Sequence, residues 1–438
     1  MTAQFLISLF VITVVLHLML LACAYLILLE RKVSAWAQDR IGPNRTNFSF
    51  GVLPFKGKHF GLGQALADGL KLFVKEDYNP PHVERALFLL APVMAIVPAM
   101  IAWAVIPWGG MMLFPEMTIP GWIPIWGGAE IESALVTVAV APINIGVLFI
   151  LAWSSLAVYG VVVAGYASNN KYSFLGGIRA TAQMLSYEIP LGLCVLIMIM
   201  TYQGFDTTLM STAQVGEAGS GGFGAWGVLI HPFLAVIFFI TLLAETNRAP
   251  FDLAEAEQEL VGGFHTEYSS MKWALFFLGE YMHMITGAAF FAVLFLGGWS
   301  LNPFGFVLPF DLPTVSGIGG VLAKMGVFFL KVAILLFIIM WVRWTLPRPR
   351  FDQLMKMAWR GLIPVTLVML LVTTMLVFID KMWGLPMLGL SFLIANVLVA
   401  LGAALIGPRL PAGPPVNRRI PLEGSRFNPP RPEPAGQA

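Results

Sequence analysis

The chain has 438 residues, of which 58% are hydrophobic and 11% charged, and its formal net charge is +2. Soluble globular domains carry about 25% charged residues, so this composition, with a mean hydropathy of +0.79, describes an integral membrane protein and excludes the basic face that nucleic acid requires. Cys23 and Cys194 both lie inside apolar runs, which leaves no set of ligands for a disulfide framework, zinc or an iron–sulfur cluster, so any redox centre would belong to a partner.

Crossing a bilayer takes about 20 predominantly apolar residues. Nine runs qualify, at roughly 5–29, 86–107, 134–165, 183–202, 228–244, 273–297, 321–342, 361–379 and 385–406. The third is long enough to be tilted or broken. The opening MTAQF lacks the positive stretch of a signal peptide, which reads as a retained first span. The expected fold is all-α: a polytopic membrane protein of about nine transmembrane helices with long cytoplasmic loops.

All but three of the 26 basic residues (Lys324, Lys331 and Lys381) fall in the segments 30–85, 166–182, 245–272, 343–360 and 407–438. Basic loops stay on the cytoplasmic side, which places the N-terminus outside and the tail inside. Of the outer connections, MMLFPEMTIPGWIPIWGG reads as an interfacial segment and GEAGSGGFGAWG as a flexible linker. The tail from 408 is Pro-rich and reads as disordered or laid on a partner. No internal repeat of the kind found in secondary transporters is visible.

The first inner loop opens ERKVSAWAQDRIGPNR, with Glu30, Arg31 and Lys32 at the exit of the first span, Arg40, and a turn at Gly42, Pro43 and Asn44. It continues GLGQALADGLKLFVKEDYNPP, where Leu62, Leu66, Leu70, Phe73 and Val74 share one face and Asp68, Lys71 and Lys75 the other, with Glu76 just beyond. That pattern predicts an amphipathic helix in the interface, serving either as the doorway for a lipid-soluble molecule or as a plain anchor.

Charges inside the spans carry more weight, because an ionisable group within a membrane is costly and faces a polar interior. Glu188 and Glu280 sit several residues inside their boundaries, and Lys331 lies about 18 Å from the inner one at 1.5 Å per residue. With Glu245 at the lip of its span they make either a proton-conducting chain or a structural Lys–Glu lock. His17 and Asn144 read as interhelical hydrogen-bonding groups.

The next inner loop, AETNRAPFDLAEAEQEL, is dense in carboxylates. Asp252 and Glu255 have capping-box spacing, and Pro250 with Gly262 and Gly263 bracket a short helix over about 253–261. On it Asp252, Glu255 and Glu259 share a face, with Glu257 on the other side. With Glu245 and Glu267 the loop holds six acids against Arg248 and Lys272. Such a cluster raises carboxylate pKa values toward neutrality; the alternative is a solvated acidic loop facing a basic partner.

Four of these stretches, ERKVSAWAQDRIGPNR with ADGLKLFVKED, GYASNNKYSFLGGIRATAQMLSYE, AETNRAPFDLAEAEQELVGGFHTEYS and WVRWTLPRPRFDQLMKMAW, resemble the H-subunit family of proton-translocating NADH–quinone oxidoreductase, respiratory complex I. The resemblance runs from the first span to about residue 380, followed by an additional ninth helix at 381–407 and the tail. It implies a quinone substrate, with ubiquinone the expected species, reduced by electrons from NADH through FMN and iron–sulfur clusters held in partner subunits. Expected partners are the peripheral-arm subunits, small membrane subunits and antiporter-like subunits, in a bacterial cytoplasmic membrane. It assigns Arg31, Phe251 and Arg343 to the quinone tunnel. It assigns Glu188, Glu245, Asp252, Glu255, Glu257, Glu259, Glu267, Glu280 and Lys331 to the coupling relay, and no residue to a metal. The equivalent component of a related membrane-bound hydrogenase or dehydrogenase is the alternative. A free-standing ion transporter is a further one, which would call for repeat symmetry and short inner loops.

Overall fold

The computed structural model describes residues 3–46, 61–118, 130–131, 133–215, 225–255, 257–303, 315–383 and 388–407. Helix α1 runs Ala3–Ala37 and the interfacial α2 Gln64–Val74. Then come α3 (Arg85–Ala102), α4 (Gly146–Ala167), α5 (Lys171–Tyr202) and α6 (Thr207–Ala213). Next are the single turn α7 (Gly227–Ile230), α8 (Pro232–Glu245) and the single turn α9 (Glu257–Leu260). The long α10 (Ser270–Phe295) and α11 (Ile318–Thr345) follow. Helix α12 (Phe351–Lys356) passes through a wide turn at Met357–Leu362 into α13 (Ile363–Trp383), and α14 (Leu388–Ile406) comes last.

Among the described residues eight helices are long and apolar enough to cross a membrane, α12 and α13 counting as one. The expected fifth span is the exception. Helix α8 has 14 residues, about 21 Å, against a hydrocarbon core of about 30 Å. The reason is local: Pro232 has no N–H and suits the first helical position, so the helix restarts there after His231.

The expected third span also begins late. Residues Ala134–Thr137 form strand β4, and Pro142 stands between it and α4. The MMLFPEMT stretch, expected in the interface, instead supplies β1 (Met111–Phe114) and β2 (Met117–Thr118). Strand β1 pairs antiparallel with β4, Met111 opposite Thr137, and parallel with a short β5 (Val315–Ser316). Strand β2 pairs with β3 (Glu130–Ile131). Thr137 bonds in both directions to Gln4 on α1, at 3.0 and 3.1 Å. The small sheet therefore caps the end of the bundle where α1 starts, and the charged loops gather where α1 finishes.

The core is built by α3, α4, α5 and α10, with α8 and α13 against α5. Small residues allow this, as usual between membrane helices: a side chain at Gly160 on α4 would stand 2.7 Å from the backbone nitrogen of Ala95 on α3. Outward-facing Phe5, Leu9, Phe10 and Ile12 on α1 are exposed, the surface that hydrocarbon solvates. No residue of α2 is buried, as an interfacial helix requires.

Two expected interhelical contacts are corrected. His17 is exposed and its ring bonds within its own helix, to the Thr13 carbonyl at 2.6 Å. Asn144 is exposed in the segment before α4. The tail from 408 and the Gly-rich stretch at 216–224 lie outside the described residues.

Candidate functional site

The site is organised by the way α8 ends. Asn247 adopts φ +48°, a left-handed conformation that Asn accepts better than most residues. It lets the Arg248 N–H reach the Leu243 carbonyl at 3.2 Å and the Asn247 N–H the Ala244 carbonyl at 3.4 Å. This is a Schellman turn, which satisfies the last helical carbonyls and reverses the chain. From α5, the side-chain nitrogen of Gln183 donates to the Ala244 carbonyl at 2.9 Å and the Phe251 carbonyl at 2.7 Å, and lies 3.2 Å from Asn247 Oδ1.

The turn aims Arg248 into the protein, where its side chain is 4% exposed. It stands 3.6 Å from Glu30 at the end of α1 and 3.5 Å from Glu280 on α10. Its guanidinium carbon lies 4.3 Å over the Tyr281 ring, a cation–π contact. Glu30 also pairs with Arg343 of α11 and accepts from the Tyr281 hydroxyl. Glu255 stands 3.8 Å from His265. Asp252 pairs with Arg348 at 3.2 Å.

Four carboxylates thus surround three arginines with little solvent. Burial opposes the charge of Arg248, and Glu280, Tyr281 and Glu30 more than offset it, so its pKa is raised. Asp252 is pushed up to about 6, first by burial and then by Glu255, against the pull of Arg348, Arg343 and Arg248.

One cavity reaches this cluster and a second adjoins it. The first, of about 280 Å³, is lined by Glu30, Arg31, Asp68, Leu72, Phe277, Tyr281 and Trp344, and so lies between α1, α2 and α10. Its neighbour, about 370 Å³, shares Leu72, Trp273 and the pair Arg31 and Asp68, which meet at 2.7 Å, and adds Lys71 and Lys75. A third, apolar groove of about 730 Å³ runs between α1, α10 and α11 past Leu21, Leu29, Ile285 and Phe329 to Lys32 and Leu62.

On the other side of Glu280 the polar path continues inward. A cavity of about 40 Å³ is shared by Glu280, Glu245 and His283, and one of about 20 Å³ by Glu245, His283, Ser154 and Thr286. His283 Nε2 lies 3.5 Å from Glu245. Next to Ser154, Ser155 donates to Glu188. Each cavity is large enough for about one water.

Glu30, Arg31, Phe251, Asp252, Glu255, Glu280 and Arg343 therefore gather around one site, with Glu245 and Glu188 beyond it. Phe251 is buried, its ring 5.7 Å from that of Tyr187. Other expected members lie elsewhere. Lys331 donates to the carbonyls of Leu296, Gly298 (2.9 Å) and Ser300, with the Trp226 ring 4.2 Å away, at the far end of α10. Glu259 faces outward to Arg179 at 2.6 Å, and Glu267 accepts from Asn170 at 2.7 Å.

The expected helix over 253–261 shrinks to α9. Asp252 is drawn to Arg348 rather than capping, so the shared face of Asp252, Glu255 and Glu259 does not form. The side chain of Glu257 lies outside those described. In the first loop, Gly42 has φ +77° and its missing Cβ faces Ala35 at 3.1 Å, which explains the turn with Pro43 and Asn44. Arg40 bonds to Gln38, while Lys71 and Glu76 are exposed.

Sequence reasoning placed Arg248 only as a counter-charge and passed over Tyr281, His283, Arg348 and Gln183. His283 was findable, lying three residues after Glu280 on the same helix face. Arg348 and Gln183 carried no local signal.

An all-α bundle of membrane-spanning helices, with a buried Arg–carboxylate cluster at one end beside an amphipathic helix, defines the class: a polytopic membrane protein. A family model described as NADH dehydrogenase matches residues 10–374. The H subunit of the NADH-quinone oxidoreductase from Leptospira biflexa is 44% identical over 343 residues, 78% of this chain and 86% of that protein. The proteins of the same name from Protochlamydia amoebophila and Rhodospirillum rubrum are 44% and 42% identical, covering 80% and 81% of this chain and 92% and 89% of theirs. The chain belongs to this family, the H subunits of NADH-quinone oxidoreductases.

Proposed function

We propose that the chain forms much of the quinone chamber of a proton-translocating NADH–quinone oxidoreductase and transmits the charge change of quinone reduction into the membrane. The observation that carries this reading is the continuity from the 280 Å³ cavity through Glu30, Tyr281, Arg248 and Glu280 to Glu245 and His283. The names of its relatives supply the substrate class.

Reducing a quinone to quinol takes two electrons and two protons. The electrons come from clusters in partner subunits. In this chain the walls of the entry cavities, Leu72, Phe277, Trp273 and Trp344, solvate the apolar part of the substrate, while Arg31 and the Glu30 cluster face its polar head. Negative charge arriving on the head shifts the balance between the buried carboxylates and Arg248, because such charges interact strongly at low dielectric. Arg248 sits at nearly equal distance from Glu30 and Glu280, so a change on one side is felt on the other. That is a coupling free energy between the quinone site and the inner path. The concentration of basic residues in the loops at this end supports a cytoplasmic position for it and an outer N-terminus.

The test is Glu245→Gln and Glu280→Gln in the assembled complex. Quinone reductase activity and proton pumping should fall together. Wild-type quinone reductase activity and pumping in both assembled variants would refute the relay.

A further inference from the structure

We propose that Gln183 is a positioning residue that holds the Arg248 loop between the quinone cavity and the inner path; this rests on the function proposed above. Gln183 is completely buried on α5 and its nitrogen contacts both ends of the loop, Ala244 where α8 is ending and Phe251 just before Asp252. The third acceptor is Asn247 Oδ1, on the residue whose left-handed backbone creates the turn. An amide nitrogen has two protons, so these three acceptors share them. Turning the amide over would set an oxygen against three oxygens, so the acceptors themselves fix its orientation. The amide oxygen, Gln183 Oε1, meets no donor among the described residues. The side chain spends its hydrogen bonding on the loop.

The loop's internal bonds shape its turns, with Arg248 N–H to Leu243 and Phe251 N–H to Arg248. None of them joins Ala244 to Phe251, as Gln183 does; to α5 the loop is tied by Gln183 and, more weakly, by Asn247 Nδ2 on Met184 Sδ at 3.5 Å. One helical turn along, Tyr187 packs on Phe251 and donates to the Leu354 carbonyl at 3.1 Å, so the same face of α5 reaches the helix that follows Arg343 and Arg348.

What this fixes is a distance. The contacts of Arg248 with Glu30 and Glu280, 3.6 and 3.5 Å, are both near the outer limit of an ion pair. A loop displaced by an ångström would commit Arg248 to one carboxylate and release the other. Gln183 keeps the guanidinium balanced between them, and its loss is expected in substrate affinity and pH response rather than in assembly alone.

The experiment uses the intact complex, with NADH oxidation by a hydrophilic acceptor as the assembly control. Gln183→Leu should raise KM for a short-chain quinone about tenfold, with a smaller fall in kcat, and move the pH profile of quinone reduction. Gln183→His, whose Nε2–H can replace the donor, should recover most of the affinity. Asn247→Gly keeps the left-handed backbone accessible but removes one acceptor, and should shift KM two- to threefold in the same direction; this variant decides the matter if Gln183→Leu does not assemble. Arg248→Gln is measured alongside. Unchanged KM there would refute the function proposed above. Raised KM in Arg248→Gln with wild-type KM and pH profile in the assembled Gln183 and Asn247 variants would overturn the positioning role alone.

Discussion

Replacing Arg248 with Gln is the sharpest perturbation available. The substitution keeps a polar side chain of shorter reach but removes the charge standing between Glu30 and Glu280, whose side chains are 11% and 17% exposed. At about 3.5 Å and an effective dielectric of about 20, each lost attraction amounts to roughly 4–5 kcal/mol before desolvation is counted. Breaking a buried pair from one side has a net cost of about 3–5 kcal/mol. Part of that cost falls on the folded protein and part on the quinone site. If only about 3 kcal/mol reaches the latter, kcat/KM for quinone falls about a hundredfold. Arg248→Lys retains the charge without the planar fork and should lose much less. The assay is NADH:quinone reductase activity of purified complex, normalised to its NADH oxidation with a hydrophilic acceptor. Assembled Arg248→Gln complex with wild-type kcat/KM would refute the reasoning.

Asp252, with a pKa raised to about 6, binds a proton in the folded chain between about pH 4 and 6 while the unfolded chain does not. Its contribution therefore favours folding on the acid side and is lost as pH rises through about 6. Asp252→Asn should flatten the pH dependence of thermal stability and of quinone reduction across that window; an unchanged inflection would argue against it. Asn396 on α14 contacts His231 at 2.7 Å, His231 contacts Thr201 at 3.0 Å, and Asn396 Oδ1 accepts the Leu234 amide at 3.4 Å. Asn396→Leu strands these buried groups at the start of α8 and should cost about 1–3 kcal/mol, read as a lower melting temperature of the detergent-solubilised complex. Lys331→Met strands the carbonyls of Leu296, Gly298 and Ser300 and should lower the melting temperature similarly while leaving quinone KM at its wild-type value; an altered KM would place Lys331 back in the relay.

Most of the helical framework was legible because apolar length and basic loops are physical requirements of a bilayer. The amphipathic α2 was readable for the same reason, its Leu66, Leu70 and Phe73 repeating at helical spacing. What the pattern hid were breaks inside apolar runs. Residues 134–137 are apolar enough for a span yet pair as a strand, and His231–Pro232 cuts the fifth run to a half-length helix. Within the site, Glu30, Asp252, Glu280 and Arg343 could be picked out because charges near or within a span are rare. Their pairing could not. Arg248 looked like one cation beside six acids, and only the Schellman turn at Asn247 turns it inward. By position Lys331 reads as part of a proton-conducting chain or of a Lys–Glu lock, but a lysine can equally be satisfied by the carbonyls at a helix end, and helix rotation decides which. The helix expected at 253–261 failed because long-range pairing of Asp252 with Arg348 outweighed its local capping pattern.

The most direct test is a density map of the assembled complex with a quinone or quinone-site inhibitor bound. The polar head is expected at the inner end of the cavity between α1, α2 and α10, within contact distance of Arg31 or of the Glu30–Tyr281–Arg248 cluster, with its tail among Leu72, Trp273 and Phe277. A head group seated away from these residues, with the Arg248 cluster sealed from it by packed side chains, would contradict the proposed chamber.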